Sequence, residues 1–436
     1  MFRYQPLIFL LCSVLFFSAC NTTGPAGLFK KLTPHEIYGN KIKNAGLQQT
    51  AMGRQWFQAA DNSLNKPLKI QIPYKETGYF ASDRINATAL QFNATRGEKL
   101  TFSLAKNPAT DFSVFMDIWR QEANDRSLMA SADTSGKVLE LEIKRTGTYL
   151  LRLQPELLRS GEYTLTITSG PSLSFPVSSS GNPRIESVFG ADRDAGIRRH
   201  EGIDIFATFR TPVLAAAEGT VQPGDNNLGG KVVFLRPKDA DYTLYYAHLD
   251  SQTVSYGQNV RPGDTIGLVG NTGNARTTPS HLHFGIYSNE GAIDPLVFIK
   301  KTTVKPPTIA AKINFLNDSM RTATPGTRLM QATNVETSAE LLPAGIPVLV
   351  EAATANYFKV TLPDNHSGFI SASQLVSIDK TIRKLTLSSN YELLQNPDAL
   401  SAKKAVLVQG NQVNVIGEFN RFYLVKNNGL TGWIKK

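Results

Sequence analysis

Cysteine is nearly absent from this chain: there are two in 436 residues, Cys12 and Cys20. That excludes a disulfide framework, and it excludes the cysteine-rich structural zinc sites that close around a metal with four protein ligands. Long apolar runs are lacking too. The only extended one, residues 6–17, is too short to cross a bilayer, and Cys12 lies inside it. The formal charge is +10, yet no Lys/Arg run with interleaved aromatics occurs, which excludes a nucleic-acid-binding reading. The spread-out basic excess instead suits polyanions of a cell envelope, either wall polymers or anionic lipid heads. Residues 185–300 contain no amphipathic helical pattern of any length. Histidine is also scarce, six in all, and four of the six fall in three short motifs.

The N-terminus reads as an export signal: Arg3 precedes the apolar run, which ends in Phe17-Ser18-Ala19-Cys20. Small residues before a cysteine resemble a lipoprotein signal over residues 1–19. Cys20 is then the expected lipidation site, giving attachment to the membrane through a lipid anchor. Asn21 after it, rather than Asp, points to the outer membrane, facing the periplasm. Residues 20–45, polar and punctuated by Gly and Pro, read as a tether.

The expected fold is all-β and multidomain. Over residues 46–170 the pattern has period two: Leu100, Phe102, Leu104; Leu139, Leu141, Ile143; Tyr163, Leu165, Ile167. Such strands between Gly and Asn/Asp turns predict a β-sandwich, resembling jelly-roll-like accessory modules. Residues 171–184 read as a linker by composition, 185–300 as a second β-rich domain, and 301–311 as another linker. The remainder holds a duplication. Asn356, Phe358, Gly368 and Ile370 align without a gap on Asn420, Phe422, Gly432 and Ile434, and Phe369 aligns with Trp433. Two units, 312–378 and 379–436, resemble small bacterial SH3-like barrels. Exposed aromatics at Phe369 and Trp433, with the basic surplus, would suit wall binding; the alternative is that both are core residues and the barrels only pack against the central domain.

The chemistry lies between residues 185 and 300. Side chains at i and i+2 of a strand share a face, so His281 and His283 are presented together while Leu282 packs behind them. His200 and Asp204 face one way if residues 200–205 are extended, and Gly202 with Ile203 and Ile205 argues against a helix. Glu201 then reads as a solvated side chain rather than a base. His248, in Tyr246-Ala247-His248-Leu249, adds a further imidazole. His35 and His366 stand outside any constellation and read as solvated. Histidine and aspartate without cysteine suit a catalytic metal with about three protein ligands and an open position for water.

This region resembles the lysostaphin-like (LytM-type) zinc endopeptidases that cut cell-wall peptides. The matching residues run in the family's order: Ser187 to Gly190, His200-x-Gly202-x-Asp204, Tyr246 to Leu249, Gly270-x-Thr272-Gly273, and His281-Leu282-His283-Phe284-Gly285. Departures occur at residues 227–231 and at Arg210. The resemblance implies Zn²⁺ held by His200, Asp204 and His283, with His248 and His281 as the catalytic, non-ligating imidazoles. It leaves open which of the two is the general base and which steadies the oxyanion. The implied partner is peptidoglycan and the implied reaction is hydrolysis of its peptide cross-links; the bond that is cut stays open. The alternative is a non-catalytic regulator of a cell-wall amidase, although such relatives have lost zinc ligands and all five positions remain here.

Overall fold

A computed structural model of the protein describes residues 31–123, 125–193, 196–300, 305–333 and 339–436. The signal, Cys20 and the first part of the tether lie outside the described residues. Among those described, no helix is long and apolar enough to cross a membrane. The architecture is mostly β, as expected.

The tether reading fails from Thr33 onward. Helix Pro34–Asn44 starts on a capping box: Thr33 Oγ1 accepts from the Glu36 amide, and Glu36 Oε2 accepts from the Thr33 amide at 2.8 Å. Such a cap is worth about 1 kcal/mol. A second helix, Ala51–Asn65, is capped by Thr50. Together they set Ile42 and Trp56 against Phe115, on the outside of the sandwich. His35 is a correction as well. It is buried, stacks on Trp56 at 4.5 Å between ring centroids and lies 2.6 Å from Gln154 Oε1. Burial, reinforced by the Arg152 charge, lowers its pKa to about 4, so the ring is neutral at pH 7.

Behind the helices a five-stranded sheet faces a nine-stranded one. The period-two residues fill the space between them: Leu100, Phe102, Leu165 and Ile167 are fully buried. The larger sheet does not stop at the sandwich, however. Its order runs Ser367–Ser371, Tyr357–Thr361, Pro347–Thr354, Tyr74–Phe80, Gly161–Pro171, Glu98–Asn107, Leu139–Glu142. Thr77 and Gly78 pair with Ala353 and Ala352, so the first C-terminal repeat continues the sandwich sheet. At this seam Lys359 Nζ donates to Glu76 Oε1 at 3.0 Å, to Thr88 Oγ1 and to Tyr163 OH. Phe369 joins the sandwich core.

Exposed aromatics in the repeats are therefore not found: Phe369 is 0% and Trp433 6% exposed. The paired glycines explain the shared signature. A Cβ on Gly368 would meet Leu329 Cδ1 at 2.6 Å, and one on Gly432 would meet Leu393 Cγ at 2.6 Å. In each repeat a leucine packs against the glycine that precedes the aromatic residue. The second repeat forms its own six-stranded sheet over residues 383–435.

The central unit is an antiparallel sheet ordered Arg184–Ser187, Ile203–Phe206, His281–Ser288, Tyr242–Gln252, Gly230–Pro237, Gly219–Asn226, Asn259–Val260. Ile203, Ile205, Leu244, Tyr246, Leu282, Phe284 and Ile286 form its core, all fully buried. The expected linker 171–184 is not loose. Leu173 and Val177 are buried in this core, the Leu173 amide donates to Phe298 O, and the Leu214 amide donates to Pro176 O. The apolar alternation Leu173, Phe175, Val177 is a short strand pattern that composition alone hides.

Candidate metal centre

Three adjacent strands carry the site. Asp204 pairs in register with His283, which pairs on its other side with Ala247. Ile203 and Ile205 point into the core, so Asp204 is turned to the opposite face. Leu282 likewise points inward while His281 and His283 face outward. His200 precedes the first of these strands and is anchored by its amide, which donates to Ala191 O at 2.8 Å.

His248 reaches the same face by a different route. Strand alternation would send it inward, between Tyr246 and Leu249. Instead its backbone is left-handed, with φ +62°, and its amide donates to Gly229 O at 2.7 Å. The register of this strand against its neighbour shifts beside it. Histidine tolerates this conformation better than most residues, at a cost of order 1–3 kcal/mol. The strain turns the imidazole out of the core and into the groove. Gly229 belongs to the departing loop 227–231, which thus supports His248. Arg210, the other departure, pairs with Asp250 instead.

His200 Nε2, His283 Nδ1 and Asp204 Oδ1 form a triangle with sides of 3.0, 3.0 and 3.1 Å. All three ligand atoms lie within 4.8 Å of one another. Zn–N and Zn–O bonds of 2.0–2.2 Å in a tetrahedron set donors about 3.3 Å apart, so this donor set fits zinc in spacing and in chemistry. Backbone carbonyls fix the tautomers. His200 Nδ1 donates to Val188 O at 3.0 Å, His248 Nδ1 to Thr272 O at 2.9 Å, and His281 Nδ1 to Pro279 O at 2.9 Å. A carbonyl only accepts, so in each neutral ring Nε2 carries the lone pair. Gly202 is required between the ligands: a Cβ there would meet Phe284 O at 2.6 Å and His283 Cε1 at 2.8 Å.

Electrostatics agree with the geometry. Burial opposes ionisation of Asp204, but the adjacent His200 and His283 rings outweigh it and hold its carboxyl far below the usual range. Burial lowers the pKa of His283, and that of His248 to about 4, aided for His248 by the neighbouring His281 and His283. His283 and His248 are therefore in the neutral form at pH 7.

These groups line one cavity of about 710 Å³, with Tyr245, Tyr287 and Leu228 on its walls. His248 and His281 lie 5.0 Å apart between ring centroids. All five expected site residues in this unit are thus brought together, while Cys20 lies outside the described residues. Glu201 is exposed at the rim, and His366 is exposed in a turn beside Asp364, both as expected. Among the described residues, none from the flanking units lines the cavity. Sequence reasoning missed Arg193, whose Nη2 lies 2.7 Å from Asp204 Oδ2. It sits in a short polar hairpin with no hydrophobic pattern to reveal its direction.

Residues 198–295 match the sequence profile of Peptidase family M23. Over 139 residues the chain is 36% identical to an uncharacterized metalloprotease of Haemophilus influenzae, which covers 30% of this chain and 29% of that protein. It is 40% identical over 114 residues to the L-Ala--D-Glu endopeptidase of Bacillus subtilis, covering 24% and 35%. It is 36% identical over 125 residues to the peptidoglycan DD-endopeptidase ShyC of Vibrio cholerae, covering 27% of each. The chain thus aligns with about a third of the length of these curated relatives, over the unit that carries the site.

Proposed function

We propose that the protein is a zinc-dependent endopeptidase hydrolysing peptide cross-links of bacterial peptidoglycan. The observation that carries this reading is the convergence of the His200–Asp204–His283 triangle with two further imidazoles on one open groove. The matched family and the named relatives support the substrate class. His200 Nε2, His283 Nδ1 and Asp204 Oδ1 are the residues that would hold zinc. When bound, zinc polarises a carbonyl and brings the pKa of water to about 7. The chain's own part is to place and move protons. With Nδ1–H committed to a backbone carbonyl, His248 and His281 each offer Nε2 to the groove. One accepts the proton of the attacking water at Nε2 and returns it to the departing amine. The other, carrying a proton on Nε2 as well as on Nδ1, donates to the developing oxyanion as an imidazolium. A non-catalytic regulator has no use for five converging groups, so hydrolysis is the better reading.

The test is metal analysis of the purified protein with a turnover assay on purified sacculi; zinc without turnover would favour the regulator. In the same assay His248→Ala should keep zinc and lose turnover by at least about a hundredfold. Normal kinetics in that variant would remove His248 from the mechanism.

We read the two C-terminal units as SH3-like barrels that pack through their aromatic residues instead of displaying them. We place the protein in the cell envelope, lipid-anchored at Cys20, on the periplasmic face of the outer membrane. Cys20→Ser should lose acyl labelling and leave the membrane fraction; no described helix is long and apolar enough to cross a membrane in place of the anchor. Retention after a salt wash, with the signal cleaved, would contradict the anchor.

A further inference from the structure

Arg193 approaches the centre from a ribbon in which Asp192 and Arg193 pair with Arg199 and Arg198, immediately before His200. One guanidinium nitrogen, Nη2, donates to Asp204 Oδ2 and to Ser187 Oγ, each at 2.7 Å. Ser187 Oγ lies 3.2 Å from His200 Nδ1. Two of the three ligands are therefore tied to one pair of side chains. The carboxylate of Asp204 is divided between two tasks: Oδ1 faces His200 and His283 at 3.1 and 3.0 Å, while Oδ2 is taken by Arg193.

We propose that Arg193 is a positioning residue of the metal centre, holding Asp204 so that Oδ1 alone is offered to the ion and, through Ser187, steadying the His200 ring. The proposal rests on the zinc reading given above. An unrestrained carboxylate turns about its terminal torsion and can chelate through both oxygens. A charge-assisted hydrogen bond on Oδ2 removes both freedoms. With only Oδ1 free to bind, an ion held there would keep a position open to water and substrate. The Arg193 side chain is 36% exposed. Water can therefore replace it in the metal-free protein, and folding should not depend on it.

Zinc affinity of the full-length protein, stripped and reloaded with zinc alone against a chromogenic chelator, tests this. Arg193→Met should weaken zinc binding about 10–100-fold, the usual loss when a group that orients a ligand is removed. The melting midpoint of the metal-free protein should move by less than about 2 °C. Arg193→Lys, which retains a cationic donor, should recover part of the affinity, and Ser187→Ala should lose less than Arg193→Met. Affinity in Arg193→Met within about twofold of wild type would overturn the proposal, because oriented ligands do not tolerate that loss silently. So would an equal loss of metal-free stability, or a rise confined to KM at full zinc loading, which marks a substrate contact. A wild-type protein that binds no zinc would sink the zinc reading and this one together. Zinc in the wild type with an unaffected variant would sink only the role of Arg193.

Discussion

Asp204→Ala should yield a folded protein that no longer retains zinc and cuts sacculi at least about a thousandfold more slowly, a loss of about 4 kcal/mol of transition-state stabilisation. Asp204 Oδ1 is the vertex that faces both imidazoles, and its neighbour Oδ2 is the anchor point of Arg193. Removing it takes away one of three protein ligands and the only negative charge among them. Two imidazoles then remain, a pair too weak to hold zinc against a chelator at neutral pH. Folding should survive because the strand is held by its backbone pairing to His281–Ser288 and by Ile203 and Ile205 beneath it. Asp204→Asn is the sharper control: it keeps the volume and an acceptor oxygen and removes only the charge. His283→Ala should behave like Asp204→Ala. Metal content by elemental analysis and sacculus turnover are the measurements. Full zinc occupancy with normal turnover in either variant would show that the ligands lie elsewhere.

How much of this was legible in the sequence depends on whether a side chain's direction follows from local periodicity. His281, Leu282 and His283 obey the two-residue rule, as do Ile203, Asp204 and Ile205, and both sets were read correctly. His248 breaks the rule. Its left-handed backbone reverses the direction that alternation assigns, and no residue type signals this. Only the resemblance to a known family placed it. Arg193 was invisible because its partner lies on another strand and its hairpin has no apolar face. Helix Pro34–Asn44 did carry a local signal, the Thr33–Glu36 capping box, but it buries only His35, Gly39 and Ile42 and so shows almost no apolar stripe. The seam between sandwich and first repeat was the least legible feature. Lys359 lies between Phe358 and Val360, where alternation assigns it to solvent, and the covering surface comes from nearly three hundred residues earlier in the chain. The pattern changes at 170 and 312 do not reveal that strands before the first and after the second share one sheet, because hydrogen bonding between strands leaves no trace in composition.

That seam leads to the second large effect. Lys359→Met should destabilise the protein by about 3–5 kcal/mol, the usual cost of leaving one member of a buried ion pair uncompensated. Lys359 is 1% and Glu76 0% exposed by side chain, so water cannot take over for the missing ammonium. Glu76 would keep two donors, Tyr74 OH at 2.7 Å and Tyr163 OH at 2.8 Å, which soften the loss without cancelling the charge. Adding Glu76→Gln removes that charge while retaining an acceptor for one tyrosine and offering an N–H to the other hydroxyl, and the double variant should recover a substantial part of the stability. Chemical denaturation of both variants measures this. A Lys359→Met protein within about 0.5 kcal/mol of wild type would mean that the pair contributes nothing to the seam. The same physics governs truncation after Lys300. That cut strips Tyr74–Phe80 of its neighbouring strand, takes Phe369 out of the sandwich core and leaves Glu76 buried without its cation. Domains of this size carry only about 5–15 kcal/mol of net stability, so the sandwich should be lost while the central unit, with its own core and groove, still cleaves a short soluble peptide. Reduced binding of such a fragment to sacculi would therefore report an unfolded sandwich, and a wall-binding role for the repeats has to be tested by surface substitutions that leave Lys359 and Phe369 in place.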